Sequence, residues 1–187
     1  TATTMVGSLG EASRGRREGK IVATTLATEV MEADFGRGPT KVYSLPWGDV
    51  STAYHTTGIP NVTTYISLPP KMARMARLSN HLRPLLRTGW VRRMLQKRVD
   101  KADAGPDAAT RATSTSMIYG RVKDAAGHQH AARLKTRNGY TLTARGAVRA
   151  AQKVLEGNWK AGFQTPAGLY GPEFIRELDP DVKWTDL

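Results

Sequence analysis

Proline and glycine limit one stretch of the chain to a short helix between two strands. Pro46 ends a run of strand-forming residues at 41–45, and Gly58 and Pro60 end the helix that follows. Residues 62–68 then alternate with period two, which is typical of a half-buried strand. The pattern therefore predicts a strand, a short helix and a second strand.

The predicted helix carries side chains that are suited to proton transfer. Asp49, Tyr54 and His55 can place a carboxylate, a phenol and an imidazole beside a substrate carbonyl or imine. In the alternative interpretation, Asp49 caps the helix while Tyr54 and His55 pack or face solvent. Trp47 likewise either contacts substrate or anchors the connection by packing. These residues are the candidate catalytic group (Asp49, Tyr54, His55) and a candidate substrate contact (Trp47).

Positive charge is concentrated in one segment of the chain. The net charge is +12, and residues 71–101 hold ten Lys or Arg against one acid, Asp100, so nine of the twelve net charges lie there. Met, Leu and Trp recur in the segment at helical spacing, with interruptions at Pro84 and Gly89. Two or three short amphipathic helices are predicted, and they form a basic helical insertion at residues 71–111.

This basic segment supports a second functional hypothesis, a non-catalytic module that associates with membrane or lipid. Apolar residues opposite Arg and Lys suit adsorption to an anionic lipid surface or an acyl-carrying substrate, through Arg92, Arg93, Lys97 and Arg98. The same pattern is typical of an ordinary surface helix that packs the stems of its charged side chains. Nucleic acid is a less favoured partner, because aromatic residues are sparse and are not interleaved with the basic ones.

The rest of the chain predicts an α+β fold. Residues 114–122 and 130–136 alternate as the strands of a hairpin that turns near Gly127. A long helix follows, with Thr141 as its cap. Its predicted buried stripe consists of Ala144, Ala147, Val148, Ala151, Val154 and Leu155. The polar run at residues 14–19 is expected to be flexible. We predict a mixed or mainly antiparallel sheet with helices on one face.

Further candidate substrate contacts lie at the start of helices. Tyr140 and Thr141 can bind an anionic group, because unpaired N–H groups and the helix dipole converge at a helix N-terminus. Thr165 is a weaker candidate of the same kind. In the alternative interpretation, these residues are a cap and a packed phenol. No metal site is predicted, because the chain has no Cys, and His128 and His130 have no third ligand nearby.

The sequence contains no apolar run that approaches the length of a membrane-spanning helix and no leading secretory signal. A cytoplasmic protein is predicted, peripheral to the membrane if the second hypothesis holds. The chain starts at Thr1 as if part-way through an element, and we expect it to be the C-terminal piece of a longer protein.

Five motifs occur in order along the chain. They are FGRGP at residues 35–39, PWGDVSTAY at 46–54, TGIPN at 57–61, GYTLT at 139–143 and GFQTP at 162–166. Together they resemble the C-terminal half of bacterial saccharopine dehydrogenase-like oxidoreductases. The resemblance extends over most of residues 1–187 and is weakest between residues 71 and 112.

The resemblance implies a fold, a cofactor and partners. Members of that family carry an N-terminal Rossmann domain that binds NAD or NADP, followed by an α+β domain that shapes the substrate site and contributes to a dimer contact. This chain has no G-x-G-x-x-G fingerprint of a Rossmann domain. Residues 1–187 are therefore expected to form a single C-terminal substrate and dimerisation domain, which binds no cofactor and is not catalytic by itself. Its expected partners are its own N-terminal Rossmann domain and, in a homodimer, a second copy.

Overall fold

The computed structural model of the protein describes residues 12–100 and 105–187, without the side chains of Arg92, Arg98, Val99 and Asp100. The strands are β1 (Ser13–Arg17), β2 (Lys20–Thr24), β3 (Val30–Asp34), β4 (Pro39–Ser44), β5 (Tyr65–Ser67), β6 (Thr115–Lys123), β7 (Gln129–Arg137) and β8 (Lys183–Asp186). The helices are α1 (Asp49–Thr57), α2 (Pro70–Ser79), α3 (Arg83–Leu86), α4 (Gly89–Asp100), α5 (Ala108–Thr113), α6 (Gly139–Leu155), α7 (Pro166–Tyr170) and α8 (Phe174–Leu178).

The described strands pair into three small sheets, β1–β2, β3–β4–β5 and β6–β7–β8. The pairs β1–β2, β4–β5, β6–β7 and β7–β8 are all antiparallel. Antiparallel sheets together with helices confirm the predicted α+β fold. None of the described helices is both long enough and apolar enough to cross a lipid bilayer.

The chain divides into two compact units. The first comprises the described parts of residues 1–32 and 40–105, and the second comprises residues 33–39 and 106–187. The assignment of residues 1–187 to one substrate and dimerisation domain stays a prediction.

Small side chains from the basic segment contribute to the core of the first unit. Ala73 of α2 is buried with Ala27 and Tyr43. Just after α2, the Asn80 side-chain oxygen accepts a hydrogen bond from the Leu26 N–H at 3.0 Å, and its amide nitrogen donates to the Leu26 carbonyl at 2.9 Å. The first basic helix is therefore attached to the unit by both apolar contact and hydrogen bonds.

The polar run at residues 14–19 is ordered, which contradicts the prediction that it is flexible. β1 pairs with β2 from Ser13 to Arg17, and Glu18 and Gly19 form the turn with φ of 49° and 76°. Positive φ at both turn residues suits a two-residue hairpin connection. The prediction failed because Arg16 in this run is bonded to segments that are distant in the sequence.

In the second unit, the predicted hairpin is confirmed and a third strand joins it. β6 pairs with β7 along both strands, and Gly127 in the turn has φ of 94°. β8 then pairs with β7. Before β8, the carboxylate of Asp179 accepts hydrogen bonds from the Thr136 hydroxyl at 2.8 Å and from the Arg137 N–H at 2.8 Å. Asp179, which is 1% exposed, thus ties the C-terminal connection to the end of β7.

The N-cap predicted for α6, Thr141, lies about one helical turn C-terminal to the observed N-cap. The helix begins at Gly139, and Asn138 is its N-cap because its side-chain oxygen accepts a hydrogen bond from the Tyr140 N–H at 3.0 Å. Thr141 lies inside the first turn. An Asn N-cap accepts a free N–H of the first turn at least as well as the predicted Thr would.

The apolar stripe of α6 is exposed, so the prediction that it is buried is wrong. Its members Ala144, Ala147, Val148, Ala151, Val154 and Leu155 are all exposed, Leu155 by 89%. The other side of α6 meets α8 through ion pairs, in which Arg149 and Lys153 each lie 2.9 Å from the carboxylate of Glu177. Charged groups, rather than the apolar stripe, therefore join α6 to α8.

Candidate functional site

The buried guanidinium of Arg16 fixes the start of α1. Arg16 is 6% exposed, and its Nε donates a hydrogen bond to the carbonyl oxygen of Val50 at 2.9 Å. Its terminal nitrogens donate to the carbonyls of Ser51 and Gly19. Among the described residues, no carboxylate pairs with it. A buried charge is costly unless polar groups satisfy it, so these bonds hold α1 against β1.

Tyr54 is packed beside this guanidinium. Its ring centroid lies 4.6 Å from the central carbon of Arg16, within the range of a cation–π interaction. The ring also covers the β1–β2 turn, where a Cβ on Gly19 would lie 3.5 Å from the phenol oxygen. The Tyr54 ring also meets the His55 ring edge to face, with centroids 5.7 Å apart. The contacts of Tyr54 are those of a packing residue, and its catalytic role stays a prediction.

The other predicted residues of this site are exposed around α1. Trp47 is 41% exposed before the helix, Asp49 is the first helical residue, and His55 is exposed in the last turn. Gly48 rather than Asp49 is the N-cap, so the carboxylate acts on the helix dipole instead of capping it. Because each residue turns a helix by about 100°, Asp49 and His55 project from different sides and the helix does not bring them together.

A second polar cluster of the first unit was not identified from the sequence. Glu29 accepts hydrogen bonds from Arg17 at 2.8 Å and from the Tyr65 hydroxyl at 3.3 Å, and Arg17 also donates to the Thr63 hydroxyl at 2.9 Å. Partial burial and the charge of Glu29 raise the pKa of Tyr65, so the phenol keeps its proton and donates it in the hydrogen bond to Glu29. The four residues lie in three separate segments and share no motif, so the sequence alone does not predict that they lie together.

The remaining predicted substrate contacts lie in the second unit. Tyr140 and Thr141 are in the first turn of α6, where Tyr140 is exposed. Thr165 is the N-cap of α7, and its hydroxyl accepts a hydrogen bond from the Gly168 N–H at 3.0 Å. Trp47 belongs to the first unit. Their role in substrate binding stays a prediction.

An open groove of about 430 Å³ lies along α6 and α8. Its lining consists of Ala144, Arg145, Val148, Arg149, Gln152, Glu177 and Leu178. The charged groups that line it are engaged by the unit itself: Arg145 donates to the Leu178 carbonyl at 3.0 Å, and Arg149 pairs with Glu177. The groove therefore continues the exposed apolar stripe of α6, and both of its arginines are held by contacts within the unit.

The basic segment forms α2, α3 and α4. Of the four residues predicted for an anionic surface, Arg93 and Lys97 are exposed on α4, and the side chains of Arg92 and Arg98 lie outside the described part of the structure. Two other cations of the segment, Arg77 and Arg83, have structural partners. For example, Arg77 donates to the Ala27 carbonyl at 2.7 Å.

Among the residues that the structure describes, no three carboxylate or imidazole groups converge as metal ligands would. Comparisons with models of protein families, with curated proteins and with solved structures found no match to this chain. The functional interpretation therefore depends on the geometry of its residues and on the resemblance of its five motifs.

Proposed function

We propose that this chain is the substrate-side part of a saccharopine dehydrogenase-like oxidoreductase, which transfers a hydride between NAD or NADP and an unidentified substrate. The observation that best supports the proposal is the attachment of α1 by Arg16. A buried charge is used to fix a short helix around which Trp47, Asp49 and His55 remain exposed. Binding and catalytic side chains are positioned by rigidly held elements of this kind.

The five motifs mainly specify backbone geometry. Gly36 and Gly38 have φ of 94° and 90° in the β3–β4 turn, Gly58 ends α1 with φ of 72°, and Thr165 caps α7. Residues with such roles indicate a fold and do not by themselves indicate a reaction. The proposed activity is therefore an inference from the resemblance together with the exposed groups around α1.

In this proposal the nicotinamide cofactor belongs to an N-terminal Rossmann domain, and residues 1–187 alone neither bind it nor transfer a hydride. Among the residues of this chain, His55 is suited to exchange the proton that accompanies hydride transfer, since an imidazole ring can both accept and donate a proton. Trp47 would contact the substrate. Tyr54, which contacts both Arg16 and His55, would position the imidazole of His55.

The exposed apolar stripe of α6 supports the presence of a partner polypeptide. Val148, Val154 and Leu155 are exposed on one long helix, and an uncovered stripe of this type marks a contact surface. We propose that the Rossmann domain of the same protein covers it, and a second copy in a homodimer is the alternative.

The test uses the complete protein with its nucleotide-binding half, assayed for substrate-dependent oxidation of NADH or NADPH. We expect His55→Ala to lower kcat at least about 100-fold, the lower range for loss of a general acid or base, without lowering the melting temperature. The matched control is His130→Ala, which removes an exposed imidazole from β7. Absence of cofactor turnover in the complete protein, or an unchanged kcat for His55→Ala, would contradict the proposal.

A further inference from the structure

Helix α2 turns its apolar side chains away from the unit to which it is attached. Its inner side carries Ala73 in the core and is followed by Asn80, bonded to Leu26. The opposite side exposes Met72, Met75 and Leu78, of which Met75 is 62% exposed. An amphipathic helix on a globular protein ordinarily buries its apolar side. The orientation of α2 is the reverse, so the unit's own core does not account for these residues.

The exposed apolar side chains continue through the next two helices. Leu82 precedes α3, Leu85 lies within it, and Trp90 and Met94 follow on α4, all of them exposed. Trp90 and Met94 are four residues apart and so share one side of α4. We refer to these four side chains and the three of α2 together as the α2–α4 apolar surface.

Only positive charge accompanies this surface in the sequence. Residues 70–97 contain no Asp or Glu. Their exposed cations include Lys71, Arg74, Arg87, Arg93 and Lys97. Charge complementarity therefore requires an anionic occupant, and it disfavours a second copy, whose identical surface would bring like charges together.

We propose that the α2–α4 apolar surface docks this chain on an anionic lipid bilayer, with the helices lying in the interface. Met and Leu side chains would enter the boundary of the acyl chains, and Lys and Arg would reach the phosphate groups. Trp90 is of the residue type enriched at that boundary. An acidic protein segment offers similar chemistry, but it would need a shape that is complementary to three successive helices. A fluid bilayer can contact their side chains without such a shape. The inference does not depend on the proposed oxidoreductase activity.

The experiment measures co-sedimentation of the chain of residues 1–187 with phosphatidylcholine vesicles that contain or lack phosphatidylserine. We expect binding only to the phosphatidylserine vesicles, and we expect added salt to weaken it. Arg93→Gln with Lys97→Gln should lower the partition coefficient about fivefold for each charge removed. Met75→Ser with Trp90→Ser should also weaken binding, because both side chains are exposed on the proposed contact surface.

The matched control is Lys160→Gln with Lys183→Gln, which removes two exposed charges from the second unit and should leave binding unchanged. Equal binding to both kinds of vesicle, equal losses in the control, or full binding by the Met75 and Trp90 variant would overturn the proposal. So would binding to an acidic amphipathic peptide without binding to vesicles. If a variant fails to fold, as judged by circular dichroism, the lipid and salt dependence of the unsubstituted chain still decides the question.

Discussion

The guanidinium of Arg16 lies 4.6 Å from the ring centroid of Tyr54, and this pair joins strand β1 to helix α1 across 38 residues of sequence. The same guanidinium bonds the carbonyls of Val50 and Ser51. The position of the candidate site is therefore determined by a residue outside all five motifs.

Arg16→Lys should lower the free energy of unfolding by about 2 kcal/mol. A lysine keeps the charge, but it cannot donate in the planar arrangement that reaches Val50 and Ser51 together. Chemical denaturation followed by circular dichroism measures the change. The control is Arg14→Lys, an exposed position of the same strand, which should change stability by less than about 0.5 kcal/mol. Equal effects at the two positions would show that the buried hydrogen bonds of Arg16 do not stabilise the unit.

Tyr54→Leu tests the ring contact separately from the hydrogen bonds. Combined in a double-mutant cycle with Arg16→Met, which removes the cation, it should give a coupling energy of about 1 kcal/mol, the range of a partly desolvated cation–π pair. Tyr54→Phe keeps the ring and should retain most of this coupling. A cycle in which the two substitutions add independently would contradict the contact.

Asp179→Asn should destabilise the chain by about 2 kcal/mol at neutral pH, since the buried carboxylate accepts hydrogen bonds from Thr136 and Arg137. Burial alone would raise the pKa of Asp179, but hydrogen bonds from the Arg137 N–H, the Thr136 hydroxyl and the Arg137 guanidinium lower it below 3.8. The unfolded chain then binds the proton more readily than the folded one. The stabilisation is complete above about pH 4 and is lost as the pH falls through the lowered pKa.

Denaturation of the wild type and of Asp179→Asn between pH 7 and acid conditions tests the direction of this pH dependence. The difference in free energy of unfolding between the two proteins should shrink as the pH decreases. Asp181→Asn is the control, since that carboxylate pairs with Arg137 while 80% exposed and should contribute less than about 1 kcal/mol. A difference that grows at low pH would refute the assignment.

Asn80→Ala tests the attachment of α2. Removing the amide leaves the N–H and carbonyl of Leu26 without these two hydrogen bonds, and we expect a loss of about 1–3 kcal/mol. Faster amide hydrogen exchange at Leu26 would locate the effect. Asn158→Ala, at an exposed position after α6, serves as the control, and similar stabilities for the two variants would contradict the structure.

The sequence was informative where local rules determine the structure. The hairpin of β6 and β7 follows from alternation and from the turn at Gly127, and α1 follows from Pro46 and Gly58. The sequence was misleading where contacts between distant segments determine the structure. Arg16 lies in a run of polar residues and glycines that is typical of a loop, and its burial is explained by its contacts with the distant helix α1.

The apolar stripe of α6 shows a different limit. Periodicity identified apolar residues that share one side of the helix, but it contains no information about whether other parts of the protein cover them. Because Leu155 is 89% exposed, the local pattern and the observed burial disagree for the same residues. The seven side chains of the α2–α4 apolar surface pose the same problem. An amphipathic pattern predicts that a contact surface exists, and only the arrangement of the unit shows on which side it lies.

Gly127→Ala should destabilise the second unit by about 1–2 kcal/mol, because φ of 94° disfavours a residue with a side chain. Among the described residues, the added Cβ would meet only Lys123, at the ordinary contact distance of 3.8 Å, so backbone strain rather than a clash causes the loss. Gly120→Ala in β6 is the matched control: no atom lies within 4 Å of its Cβ and its φ is not positive. That variant should be neutral or slightly more stable, because alanine restricts the unfolded chain. Thermal denaturation distinguishes the two, and equal melting temperatures would refute the strained turn.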